Sequence, residues 1–343
     1  MVSLALLLAA ACAPAPAAPA SQSQPPPGGT AAPAQLTNVS VGFPVENSSD
    51  APIHVAVSEG LYARQGVNVE AKVLQGSSQA NAALVGGSLQ FVTTSTPAFL
   101  LARKSGVPLF AVASILSGSS MQLMVSNRWL QAHQLTLDMP LGERIKGLAG
   151  ITFGTVGASD KALLQWLLKQ QNLSLDAVRL VTLGGSPELT AALTNGTIDA
   201  FISSPPASYA TQEQGQARLL IDSVPPWDDL EYFVLATTTD YAQKNPSVVK
   251  AVATATAQGS QFLFANPAQA LAVEQARYPN FSPSVIQQTM AAFKFSRDGL
   301  FRADKWEAAS TLFADTGVVD ARVEVKEGVD WTNQFIDQAQ LGH

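Results

Sequence analysis

The chain is 343 residues long and contains one cysteine, Cys12, and three histidines, His54, His133 and His343. A single cysteine excludes an internal disulfide, and with residue 12 set aside it leaves no cysteine nucleophile in the rest of the chain. Three scattered histidines without an HExxH spacing cannot assemble a typical zinc site. Charged residues make up 13%, and acidic ones outnumber basic ones 26 to 20. An acidic chain lacks the basic footprint that nucleic-acid binding needs. Aromatics at 7% are too few for a base-stacking platform. There is no GxxxxGK[ST], and Gly154-Thr155-Val156-Gly157 is not the dinucleotide fingerprint. Gly76-Ser77-Ser78-Gln79-Ala80 comes nearest to a nucleophile elbow, but alanine stands where GxSxG requires glycine. His54, the one imaginable base for it, is expected to pack on a helix face instead. Neither catalysis nor a cofactor is expected.

Charge is also absent from residues 1–45; the first charged side chain is Glu46. Within that stretch a Leu/Ala run ends in Ala9-Ala10-Ala11-Cys12. It is too short to span a bilayer but suits the apolar region of a secretory signal. Residues 1–12 resemble a bacterial lipoprotein signal, with alanine at the position three before the cysteine and no basic residue ahead of the run. The resemblance implies lipid attachment at Cys12. Residues 13–36 follow, rich in Ala, Pro, Ser and Gln, and read as an extended tether that cannot bury enough apolar surface to fold.

The chain's hydrophobic content of 47% supports a large core. Its clearest stretch runs from Ile145 to Pro206, where β-like runs (GITFGT, AVRLVTL, TIDAFISS) alternate with helices. Strand, loop, helix, repeated, predicts a mainly parallel α/β sheet. Ser186-Pro187-Glu188 reads as N-cap, first helical position and dipole partner of a helix. Leu163, Leu164, Trp166, Leu167 and Leu168 form an apolar helix face expected to be core. Upstream, Val39–Phe43, Val67–Val73, Leu89–Thr93 and Leu109–Ile115 read as strands, and Ala217–Asp222 and Tyr232–Thr237 as two more, the last returning to the first lobe. Beyond it the chain reads as nearly all helical, with Asn245-Pro246, Asn266-Pro267 and Ser282-Pro283 as N-cap signatures.

Four phrases carry a family resemblance: Ile53–Gly60 with Gly66-Val67-Asn68-Val69; Ala82–Gly86 with Gln90-Phe91; Leu148–Gly154 through Ser159; and Gly185–Glu188 with Ala191–Ala200. They resemble the periplasmic solute-binding proteins of ABC importers, in the subfamily serving nitrate, sulfonate, taurine and the pyrimidine precursor of thiamine. The resemblance covers about residues 37–340. It implies a two-lobed periplasmic-binding-protein fold of type II, each lobe a mainly parallel sheet flanked by helices, closing like a hinge on its ligand. One lobe would comprise 37–119 and 228–343, the other 120–227. Partners implied are a small-molecule solute and ABC permease subunits. The expected location is extracytoplasmic, as a monomer with a lipid anchor as its only membrane contact.

The cleft would be lined by strand-end loops: Pro44, Val45 and Glu46; Ser77 and Ser78; Thr94, Ser95 and Thr96; Ser119 and Ser120; Gly157, Ala158 and Ser159; Ser186 and Pro187. Backbone N–H groups and hydroxyls at helix starts suit an anionic or strongly polar group. No Lys or Arg lies in these loops, the nearest being Lys161. A sulfonate, nitrate or taurine-like anion is the first expectation. A pyrimidine or other aromatic heterocycle, met by Glu46, is the second. An enzyme of the thiamine-precursor synthase type and a tethered sensor are the competing classes; the former carries a cysteine-rich motif that residues 37–340 lack.

Overall fold

The structure, a computed structural model, describes Met1 and residues 36–222 and 224–341. Cys12, the tether and His343 lie outside the described residues, apart from Leu36 at the tether's end. In chain order, the first elements are β1 (Thr37–Phe43), α1 (Ala51–Ser58), α2 (Leu61–Arg64), β2 (Val67–Val73), α3 (Ser77–Val85), β3 (Phe91–Ser95), α4 (Thr96–Lys104) and β4 (Leu109–Leu116). There follow β5 (Gln122–Ser126), α5 (Asn127–Ala132), α6 (Leu141–Lys146), β6 (Thr152–Thr155), α7 (Ala158–Lys169), β7 (Arg179–Thr182), α8 (Ser186–Thr194), β8 (Ala200–Ser203), α9 (Ala207–Glu213) and β9 (Ala217–Ile221). Last come β10 (Phe233–Thr238), α10 (Thr239–Lys244), α11 (Pro246–Ala265), α12 (Pro267–Arg277), α13 (Pro283–Ala292) and α14 (Ala303–Asp315).

Two five-stranded sheets result, ordered β2-β1-β3-β10-β4 and β7-β6-β8-β5-β9. β1 pairs in parallel with β2 from Thr37↔Val67 to Phe43↔Val73, while β10 runs antiparallel between β3 and β4. β5 does the same between β8 and β9. Each sheet is thus mainly parallel with one antiparallel strand, and the antiparallel strand arrives by a crossover from the other sheet. Helices on the faces explain the sequence pattern. All eight residues of β4 (LFAVASIL) are buried, as a strand covered on both faces requires. Leu163, Leu164, Leu167 and Leu168 are buried as expected, with Trp166 half-buried against the core.

The two crossovers, at 117–121 and 222–232, touch each other. Ser119 N–H donates to the Trp227 carbonyl (2.8 Å), and a Cβ added at Gly118 would sit 2.4 Å from the Asp228 carbonyl oxygen. Only glycine allows that approach. Trp227 is 1% exposed, packed edge-on between Trp166 of α7 and Phe313 of α14. One indole therefore joins the helical layers of both lobes at the crossovers.

α11 is pressed equally hard onto α1, where a Cβ at Gly259 would lie 2.0 Å from the Pro52 carbonyl oxygen. Gly259→Ala is expected to destabilise the fold by about 1–3 kcal/mol, the usual range for overpacking, read as a lower urea midpoint at unchanged slope.

Three local expectations are corrected. Ser186 is not the N-cap of α8; the helix starts one residue earlier, with extended Gly185 in the cap position and Ser186, Pro187 and Glu188 as its first three residues. Of the three Xaa-Pro starts only Ser282 caps, accepting from Val285 N–H (3.2 Å). Asn245 and Asn266 make no such bond; each serves as the joint between two consecutive helices, at φ −130°, ψ 48° and φ −133°, ψ 57°. Finally, 316–341 is mostly non-helical. It returns as a strap across β4, where Ala111 N–H donates to the Asp330 carbonyl and Thr332 N–H to the Ala111 carbonyl.

Candidate ligand-binding cleft

The parallel strands β1, β3, β6 and β8 end in loops, the place where open α/β sheets bind ligands. In the first lobe those loops meet. Gly76 N–H donates to the Pro44 carbonyl (2.7 Å), and Ser95 N–H reaches the Ser77 hydroxyl (3.4 Å). Pro44, Ser77, Thr94, Ser95 and Thr96 are thereby gathered, whereas Ser78 and Val45 are exposed. Thr94 and Thr96 are wholly buried, and their hydroxyls, with that of Ser48, have no hydrogen-bond partner in the protein. Buried polar groups are nearly always satisfied, so three orphaned hydroxyls at adjacent strand ends point to a missing partner.

Contacts then pass between the lobes. Asn47 fixes the β1 loop by accepting from Ser49 N–H (2.8 Å), and its amide donates to the Ser204 hydroxyl after β8 (3.0 Å). The Tyr232 hydroxyl, at the entry to β10, lies near Ser119 on the first crossover and Ser159 on α7. Burial pushes that phenol up to about 12, against the lowering effect of the two serines, so it stays protonated at neutral pH. Thr96 N–H donates to the Tyr232 carbonyl (2.9 Å), which completes the link to β3.

Other expected residues have different occupations. Ser120 donates to the Ala292 carbonyl (3.1 Å) and accepts from Lys294 N–H (3.3 Å), tying α13 to the crossover. Ser186 shares its hydroxyl with Ser203 (3.2 Å), and Pro187 is exposed. Gly157 holds the cap position before Ala158 opens α7, but the amides expected for an anion are partly taken. Asp160 accepts from Val156 N–H (2.6 Å) and Gly157 N–H (2.9 Å). Burial raises the Asp160 carboxyl even though those amides oppose the shift. The α7 terminus is therefore already met by an acidic side chain of its own first turn.

Glu46 is also engaged. It is exposed and pairs with Arg277 at the end of α12 (2.9 Å). The absence of cations from the loops is thus a feature of the local sequence only. Exposed pairs contribute about 0–1 kcal/mol, so Glu46→Gln is expected to change solute affinity by less than about fivefold in a calorimetric titration. A larger loss would put Glu46 back among the ligand contacts.

Beneath the β1 loop lies a buried polar cluster. His54 is buried as expected, yet its Nδ1 meets Glu274 (2.8 Å) and its ring packs edge-on against Phe43. Asp50 adjoins both and accepts from the Ser49 hydroxyl (3.3 Å); burial pushes its carboxyl up to about 7. Among the described residues, no group of three or more His, Cys, Asp or Glu side chains is arranged to hold a metal, and no helix is long and apolar enough to cross a membrane.

Two mixed sheets joined by two crossovers, with their loop ends facing one cleft, define a periplasmic-binding-protein fold. Solved structures share it: the aliphatic sulphonate binding protein SsuA from Escherichia coli (17% identical, TM-score 0.69, 87% of this chain and 99% of that one). The alkanesulfonate-binding protein SsuA from Xanthomonas axonopodis pv. citri bound to MOPS is similar too (18%, 0.68, 84% and 96%). The chain belongs to the NMT1/THI5 like family, whose model matches residues 47–270. Its sequence is 28% identical over 237 residues to the taurine-binding periplasmic protein of Escherichia coli (strain K12), covering 68% of this chain and 69% of that protein. These three relatives are binding proteins rather than enzymes.

Proposed function

We propose that this chain is the extracytoplasmic solute-binding component of an ABC importer, capturing a small organic solute by closure of two lobes and delivering it to permease subunits. The observation that carries this reading is the set of orphaned hydroxyls, Ser48, Thr94 and Thr96, beside the Asn47–Ser204 contact between lobes. Hydroxyl donors suit an acidic oxygen, and the binding partners named for the relatives are taurine and sulfonates. A sulfonate, nitrate or taurine-like anion is therefore favoured over a thiamine-precursor pyrimidine, whose amino group would have needed the Glu46 carboxylate that Arg277 engages. On this reading the lobes comprise 37–119 with 228–343, and 120–227. Cys12 carries the lipid, 13–36 is the tether, and the protein works as a monomer.

Thermal melting against taurine, alkane- and arylsulfonates, nitrate, bicarbonate, aromatic carboxylates and thiamine precursors tests it. A ligand bound only by the folded state adds about 2.7 kcal/mol at a hundredfold excess over Kd. The expected result is a rise of several degrees with one anion class. A flat panel, repeated after unfolding and refolding to strip copurified solute, would contradict the reading.

A further inference from the structure

A cavity of ≈ 280 Å³ lies beside the first crossover, between α13 of one lobe and the β5–α9–β9 edge of the other. Its volume lies just below the roughly 300–1,000 Å³ of ordinary small-molecule pockets, enough only for a small occupant. One wall is rigidly built. Gln122 is 0% exposed; its amide nitrogen donates to the Tyr209 hydroxyl (2.8 Å) and to the Asp222 carboxylate, and its oxygen accepts from the Ser208 hydroxyl. Asp222 is thus held by one oxygen while its side chain stays open to the cavity. From the opposite wall comes Lys294, whose backbone is pinned on both sides. Its N–H donates to Ser120, and its carbonyl accepts from Ser117 N–H (2.8 Å). Its ammonium forms no ion pair among the described residues, nor does Asp222. The cavity is therefore lined by Asp222 from one side and Lys294 from the other, neither of them in an ion pair among the described residues.

We infer that this cavity is a second ligand site, apart from the hydroxyl cluster at Thr94, and that it takes a short zwitterion. The ligand's acid group would lie on Lys294 and its ammonium on Asp222. Each wall belongs to a different lobe, so an occupant bridges them and favours the closed form, with no covalent step involved. A solute carrying one charge would leave the other wall unanswered.

The test is titration of the full chain with β-alanine, using propanoate and propylamine as single-charge controls, followed by ligand-observed NMR and calorimetry. β-Alanine is expected to bind more tightly than either control. Asp222→Asn, which keeps an acceptor for Gln122, and Lys294→Met should each weaken it roughly ten- to hundredfold, the range for a lost charge-assisted hydrogen bond. Thr94→Val, which alters only the cleft hydroxyls, should leave β-alanine binding unchanged. Three results would overturn the inference: no β-alanine binding at millimolar concentration, affinity indifferent to both charge substitutions, or affinity abolished by Thr94→Val. The anion panel reads the cleft independently of all three.

Discussion

Trp227→Ala is expected to cost the folded body about 3–5 kcal/mol, the range for truncating a buried large aromatic side chain. The indole is 1% exposed and lies 6.4 Å from Trp166 and 5.5 Å from Phe313, centroid to centroid. Its carbonyl also anchors Ser119 N–H on the other crossover. Truncation opens a void between helices of both lobes, and the backbone bond between crossovers limits how far that void can collapse. Trp227→Phe should recover much of the loss, since the indole N–H has no partner to forfeit. Urea denaturation followed by circular dichroism measures both. A loss below about 1 kcal/mol for the alanine variant, typical of surface sites, would mean that the indole does not tie the lobes together.

A second large effect is expected in pH. Asp50 ionises near 3.8 when exposed and is raised to about 7 by burial, with the Glu274 charge adding and His54, Thr93 and Ser49 opposing. Its folded form holds the proton more tightly than its unfolded form. The resulting stability is fully present below about pH 4 and is lost as pH rises through about 7. At 1.36 kcal/mol per unit, the loss is on the order of 4 kcal/mol. Glu231, wholly buried and bonded by the Ser114 hydroxyl (2.7 Å), is raised by burial too and bends the curve the same way. Asp50→Asn removes one contribution. Between pH 4 and 8 the variant should therefore gain on the native protein by several kcal/mol. Parallel stability curves would show that Asp50 does not titrate in this window.

Much of the fold was legible because strands are written as short runs rich in apolar residues, unbroken where both faces are covered, as in β4, and interrupted by polar residues where they are not, as in β9. Val39–Phe43, Leu109–Ile115 and Ala217–Asp222 all mark strands within two residues of their ends. The class of cleft was legible too, since strand-end loops rich in hydroxyls recur in order. The return of Tyr232–Thr237 to the first sheet was read too, but side-chain contacts joined over long distances escaped. The Asn47–Ser204 contact spans 157 positions, and nothing near Glu46 announces that Arg277 will reach it. Lys294 and Asp222 have no local signature, because only the crossovers bring α13 and β9 to one cavity. Helix starts were misplaced by one residue where an extended glycine, Gly185, took the cap position. The strap at 316–341 left no periodicity, since single-residue bridges such as Ala111↔Trp331 hold it.

Closure of two lobes around a solute is the central claim. Energy transfer between dyes on cysteines introduced at the exposed positions Val85 and Leu137, with Cys12 replaced, reads it directly. The solute used would be the one that raises the melting temperature. The account predicts two populations without solute and a single high-transfer population at saturation, with Asn47→Ala shifting the unliganded balance toward low transfer. One population, unchanged at saturation, would contradict it.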